Sequence, residues 1–196
     1  MNYTDGMQTI GALRKEIHSV RDKMRRVQRE IEPELVADHT FLTSAGRTTL
    51  AGLFGDKKQM IFVHNMGSSC SYCTMWADGY NGLYEHLADR IAFVLASPDA
   101  PEQQLKFAAL RGWRFPMVTD ANSDFARAMR YTDEKGKPTP GISAFERRGK
   151  GIVRVSDTRK GPYDDFCSAW HFFDMLPGGA EGWQPKMKYR RGALVT

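Results

Sequence analysis

The sequence predicts an α/β domain in which a mixed sheet is covered by helices, and three observations carry that expectation. Short apolar runs at Met60 to His64 and at residues 90–97 have the length and continuity of buried strands. Stretches with helical spacing follow them, one opening at Pro101 and closing just before Gly112, the usual helix punctuation. Residues 141–156 read as two strands joined at Gly149-Lys150-Gly151. The order β-α-β-α-β-α-β-β-α then implies parallel crossovers first, followed by one antiparallel hairpin and a closing helix.

At the N-terminus, Ile10, Leu13, Ile17, Val20, Met24, Val27 and Ile31 recur at alternating intervals of three and four. This is a heptad seam and predicts one amphipathic helix over residues 7–32, ended by Pro33. The seam has two fates, packing on its own domain or pairing with a second copy, and homodimerisation is the expected one. "HTFLTSAGRTTL" reads as two short extended segments around a turn at Ala45-Gly46. After the Met60–His64 strand, a helical stretch runs through Leu87, weakened by Gly79 and Gly82. "FPMVTD" is a short strand, and "NSDFARAMRY" a helix capped by Asn122 or Ser123. "YDDFCSAWHFFDML" is expected as an amphipathic closing helix, stopped by Pro177-Gly178-Gly179. The domain therefore spans residues 38–178, with a basic tail over 179–196.

The chain of 196 residues is sized for one domain that buries its core without disulfide or metal support. Its 3 cysteines are too few for a disulfide-stapled scaffold. "MNYTDGMQTI" lacks the features of a signal peptide, and no apolar run approaches bilayer-spanning length. The expectation is a cytoplasmic protein without membrane partners. The net charge of +5 sits at the two ends, in the N-terminal helix and at Lys186, Lys188, Arg190 and Arg191. The body is not basic and no binding motif accompanies the charge, so a nucleic-acid partner is not expected.

Cys70 and Cys73, in "GSSCSYCTMWADGY", admit three readings: a redox pair, part of a zinc site, or two small core residues. Cys70 falls where a strand gives way to a helix, and there the free N–H groups and the helix dipole favour a thiolate. Cys73, one turn later, lies on nearly the same face and can attack a mixed disulfide. This spacing gives Cys70 the role of nucleophile and Cys73 that of resolving thiol. Cys167 and His171, spaced i, i+4, could complete a fourfold zinc set, but both fit an apolar helix face and no metal is expected. His64, at the end of the preceding strand, either moves the proton of the resolving thiol or is a core histidine bonded to backbone. Tyr72 reads as exposed, Trp76 and Trp113 as packing or rim residues, and Asp78 as a helix-surface acid or an accessory group.

The stretch "TPGISAFERRGKGIVRV" and the order of elements resemble the second half of the thioredoxin fold. That resemblance implies a cis-proline facing the cysteine pair, here Pro140 after Thr139, with Phe115-Pro116 the trans competitor. Residues 41–119 look like the peroxiredoxin-type inserted strand–helix unit. More closely, "CSYCTMWADG", "GWRFPMV", "PGISAF" and "WHFFDMLP" are similar to a bacterial thioredoxin-like family, number eight-nine-nine among domains of unknown function. Its members are described as predicted dithiol-disulfide oxidoreductases. The resemblance implies a thiol–disulfide oxidoreductase with no bound cofactor. Its partners would be a disulfide-containing protein or small thiol substrate and an external dithiol reductant. Cys70, Cys73, Pro140 and His64 would be catalytic, and Tyr72, Trp76, Thr139 and Phe115 would bind substrate. Two alternatives stand beside it: a peroxiredoxin-like peroxidase and a redox-inactive binding module. A peroxidatic site resembles Pro-x-x-x-Thr-x-x-Cys, yet those places hold Val63 and Gly67 before Cys70, or Met66 and Cys70 before Cys73.

Overall fold

A computed structural model of the chain describes residues 1–189. The chain divides into two units, Met1–Glu34 and Leu35 onward. The first is helix α1 (Tyr3–Glu30), whose Asn2 side chain caps the start by accepting from the Asp5 N–H at 2.9 Å. The heptad residues from Ile10 to Ile31 are all exposed.

The second unit is built on one sheet in the order β1-β8-β7-β4-β5-β6-β2-β3. Its strands are β1 (Glu34–Val36), β2 (Thr40–Thr43), β3 (Gly46–Thr49), β4 (Gln59–His64), β5 (Ala92–Ser97), β6 (Met117–Thr119), β7 (Gly141–Arg148) and β8 (Gly151–Arg159). β4, β5 and β6 are parallel, as expected for strands returned by crossover helices, and β7 and β8 form the antiparallel hairpin beside β4. Helices α2 (Ser71–Arg90), α3 (Pro101–Arg111), α4 (Asp124–Ala128) and α5 (Ser168–Phe173) complete the unit. Gly112 closes α3 in the left-handed conformation, which glycine adopts without penalty.

Apolar residues alternate along β4, so the sheet separates two cores. Phe62, Phe41, Phe125, Phe145, Met129 and Tyr131 belong to one. Val63, Cys73, Trp76, Ala77, Tyr80, Phe93, Phe115 and Trp170 belong to the other, the side covered by α2. In α2 the buried stripe Cys73, Trp76, Ala77, Tyr80 outweighs the propensity cost of Gly79 and Gly82, which face solvent.

Three local expectations are corrected. Ser123 precedes α4, but no cap hydrogen bond comes from its side chain; the Asp120 carboxylate accepts from the Phe125 and Ala126 N–H groups at 3.2 and 2.9 Å instead. The closing helix is short because Asp164 folds residues 161–166 into a turn, accepting from the Gly161 and Phe166 N–H groups. The region expected as a loose tail is packed in part. Ala180 is buried, and Trp183 lies against Trp170 and Phe173 with ring centroids 5.7 and 4.8 Å apart. Lys186 and Lys188 are exposed, while Arg190 and Arg191 lie outside the described residues.

Candidate functional site: the cysteine pair at the strand ends

The ends of three adjacent strands build the site. β4 pairs with β7 so that His64 lies opposite Gly141, which sets Pro140 beside the first loop residues after β4. β7 pairs with β8 so that Gly141 lies opposite Arg159, and the Lys160 N–H donates to the Pro140 carbonyl at 3.0 Å. Between β4 and α2 the approach loop is tied down by side chains. Asn65 accepts from the Gly67 N–H at 2.8 Å, and Asp99, just after β5, accepts from the Ser68 N–H at 2.6 Å. Gln103 on α3 donates to both Ser68 and Asp99. Gly67 has φ +105°, and a side chain there would press on the Asp99 carboxylate, so glycine is what this loop requires.

Cys70 is the N-cap of α2, its sulfur accepting from the Cys73 N–H at 3.2 Å. Cys70 is partly exposed, whereas Cys73 is fully buried one turn later; both are free thiols. The hydrogen bond from the Cys73 side chain, backbone N–H groups of Cys73 and Tyr72, and the charge of Lys160 together pull the Cys70 thiol down to about 6 against the opposing effect of burial. Cys73 is pushed strongly up, by its role as donor to Cys70 and by burial. One sulfur is thereby a ready thiolate and the other a protected thiol.

The other sequence-predicted residues divide. Tyr72 is half-buried and packs beside Trp76 and Trp170 at 6.2 and 6.3 Å. Trp76 is buried and contributes packing rather than an open rim. Phe115 lies in the core against Phe93, Tyr84 and Trp113, so it is not an accessible substrate contact. Thr139 donates its N–H to the Tyr131 carbonyl at 2.8 Å. Pro140 does stand at the site end of the sheet, but the Thr139–Pro140 bond is trans, the intrinsically preferred isomer. The cis expectation is therefore corrected. His64 is corrected too. It follows Val63 on the strand and so faces the opposite core, where its Nε2 is 3.0 Å from Ser143 Oγ and its ring stacks on Tyr131 at 4.0 Å. Burial, with the charges of Lys160 and Arg154, lowers it to about 3, which keeps it neutral.

Asp78 is a structural acid: it pairs with Arg111 and accepts from Trp113 Nε1 at 2.9 Å. Cys167 stands at the N-cap position of α5 without a side-chain cap hydrogen bond and lies in the same core as Cys73, where Trp170 of the short α5 packs against Tyr72. His171 instead faces Asp165 at 3.8 Å, and among the described residues no three His, Cys, Asp or Glu side chains gather as a metal-ligand set.

Sequence reasoning missed Lys160. It is buried, and its amine sits over the rings of Trp76 and Tyr80 at 4.7 and 5.2 Å. Its Nζ has no hydrogen-bond partner among the described residues. The only sequence signal was its place one residue beyond β8, inside a polar run.

The fold is shared with known structures. Peroxidoxin BcpB from Mycobacterium tuberculosis aligns at 21% identity with a TM-score of 0.53, over 63% of this chain and 84% of that one. Xanthomonas campestris bacterioferritin comigratory protein aligns at 21% identity and TM-score 0.54, over 67% and 87%. Enterococcus faecalis AhpC aligns at 17% and 0.54, over 67% and 82%. No curated protein sequence matches the chain. The class is therefore a thioredoxin-like fold of the peroxiredoxin kind, preceded by an N-terminal helix. Within it, the chain belongs to the family described as bacterial protein of unknown function (DUF899), which it matches over residues 2–192.

Proposed function

We propose that the protein is a thiol–disulfide oxidoreductase in which Cys70 attacks and Cys73 resolves. The observation that carries this reading is the opposed state of the two sulfurs: an N-cap thiolate that reaches solvent, and a buried thiol one turn behind it. The Cys70 thiolate attacks one sulfur of a substrate disulfide, forming a mixed disulfide and releasing one substrate thiolate. Cys73 then attacks Cys70 Sγ and releases the second, leaving a Cys70–Cys73 disulfide. An external dithiol returns the pair to the reduced state, with no bound cofactor. Substrates are disulfide-bearing protein segments or small disulfides, approaching past Tyr72 and the Pro140 edge.

The exposed seam of α1 supports a homodimer, and a chain with 3 cysteines suits a cytoplasmic location. Among the described residues no helix is long and apolar enough to cross a membrane.

The peroxiredoxin likeness supports peroxide as a competing oxidant, but the flank of Cys70 offers Val63 and Gly67 where that chemistry uses proline and threonine. Three measurements separate the readings. Mass spectrometry after alkylation should show a reversible two-hydrogen change, and Cys70→Ser should abolish reduction of insulin disulfides. Unchanged insulin reduction by Cys70→Ser would sink the assignment. Faster turnover of peroxide than of any disulfide would favour the peroxidase.

A further inference from the structure

Lys160 is the buried charge that the exchange described above leaves without a task. An unpartnered ammonium is among the costliest groups to bury, so its retention calls for a reason. Trp76 and Tyr80 belong to the same buried stripe of α2 as Cys73, which precedes Trp76 by one turn. An amine lying over both rings is therefore on the cysteine face of α2, inside the core that holds Cys73 and Cys167. Asp164 is nearby, but both of its oxygens accept backbone N–H groups, and it makes no ion pair with Lys160.

We propose that Lys160 is the proton-holding group of the cysteine pair, its amine taking the Cys73 proton as Cys73 attacks the mixed disulfide. This rests on the assignment of Cys70 and Cys73 made above. In the reduced protein the Cys70 thiolate and the Lys160 ammonium stabilise each other. When Cys70 Sγ bonds to substrate sulfur, that negative charge is gone and burial works against the pull of Asp164 with less opposition, so the ammonium releases its proton towards the departing thiolate. Lys160 is then a neutral amine over Trp76, in the core that holds the Cys73 thiol. Cys73 gives up its proton to Nζ, its sulfur bonds to Cys70 Sγ, and the Cys70–substrate bond breaks with its electron pair on the substrate sulfur. The ammonium, now facing a neutral disulfide, returns its proton to solvent. The titratable groups that face Lys160 are Cys70, Cys73, Cys167 and Asp164, with His64 feeling it from the far side of the sheet. Burial lowers Lys160 to about 8, within reach of exchange near neutrality.

The test is stopped-flow reaction with dithiodipyridine, with every protein carrying Cys167→Ala so that thiopyridone release counts only the pair. The reference protein should release two equivalents in two phases, the second being resolution. K160M should keep the first phase above pH 9, slow the second at least tenfold, and lose the levelling of its rate, which the loss of the Cys70 charge sets below about pH 8. Its second-phase rate should instead climb with pH into the thiol range. K160M should melt no lower than the reference, because an apolar chain replaces an unpartnered amine; K160Q supplies the same readout if K160M does not fold. A second phase with unchanged rate and pH profile in the folded variant overturns the role of Lys160. One equivalent from the reference protein, as expected of Cys73→Ser, would instead refute the exchange itself.

Discussion

The Cys73 N–H donates to Cys70 Sγ across the first turn of α2, and the Cys73 side chain adds the largest single stabilisation of the Cys70 thiolate. The backbone part of that capping survives any substitution at Cys73 except proline, whereas the side-chain part does not. Cys70 should therefore react with iodoacetamide with a half-maximal rate near pH 6, and Cys73→Ala should move the midpoint upward towards the ordinary thiol value. A midpoint unchanged by Cys73→Ala would show that the cap alone sets the acidity.

His64 gives the fold an acid limit. Its value in the folded protein is about 3, against an ordinary 6.5, so between those pH values the unfolded chain binds the extra proton. Stability is then complete above about pH 6.5 and falls as pH drops, by up to about 1.4 kcal/mol per unit from this one group. His64→Gln, which can still bond Ser143, should flatten the dependence of urea midpoint on pH across that window. A slope as steep as in the wild type would place the acid limit elsewhere.

Gly141 and Tyr131 are closely fitted. A Cβ at position 141 would come within 1.8 Å of the Tyr131 ring, whose hydroxyl donates towards the Ile142 and Thr158 carbonyls, each at 3.0 Å. Gly141→Ala should cost about 1–3 kcal/mol as the ring is displaced. Gly161→Ala, at a position where added atoms meet nothing, should cost less. Thermal melts of the two variants make the comparison.

The α1 seam predicts association. Ile17 and Met24 are 51% and 62% exposed within it. Sedimentation of the full chain should give a dimer that Ile17→Glu with Met24→Glu converts to monomer, with thiol reactivity unchanged. A monomeric wild type would assign the seam to another partner.

What was legible in the sequence was what is encoded over short distances. Pro101 and Gly112 bound α3 because their backbone preferences act locally, and the run from Met60 to His64 is a strand because both faces of it are buried. The cysteine pair was visible for the same reason: it marks a strand-to-helix junction. Of the two readings of His64, the proton-moving one fails and the core histidine stands, and the alternation of β4 contained the answer, since His64 follows Val63, which packs towards Cys73. The closing helix failed because its apolar spacing was real while Asp164 bound the backbone into a turn first. Lys160 was out of reach. Trp76 and Tyr80 are some eighty positions away along the chain, and it takes the registers of β8 on β7 and of β7 on β4 to join them.

On the proposed function, the sheet that separates the two cores also divides the consequences of substitution. Changes among Phe41, Phe62 and Phe125 should show in melting, whereas those around Trp76, Tyr80 and Trp170 should also shift how readily a sulfur gives up or takes electrons. A lineage could thus retune its redox partner by altering one layer while the other continues to hold the shape.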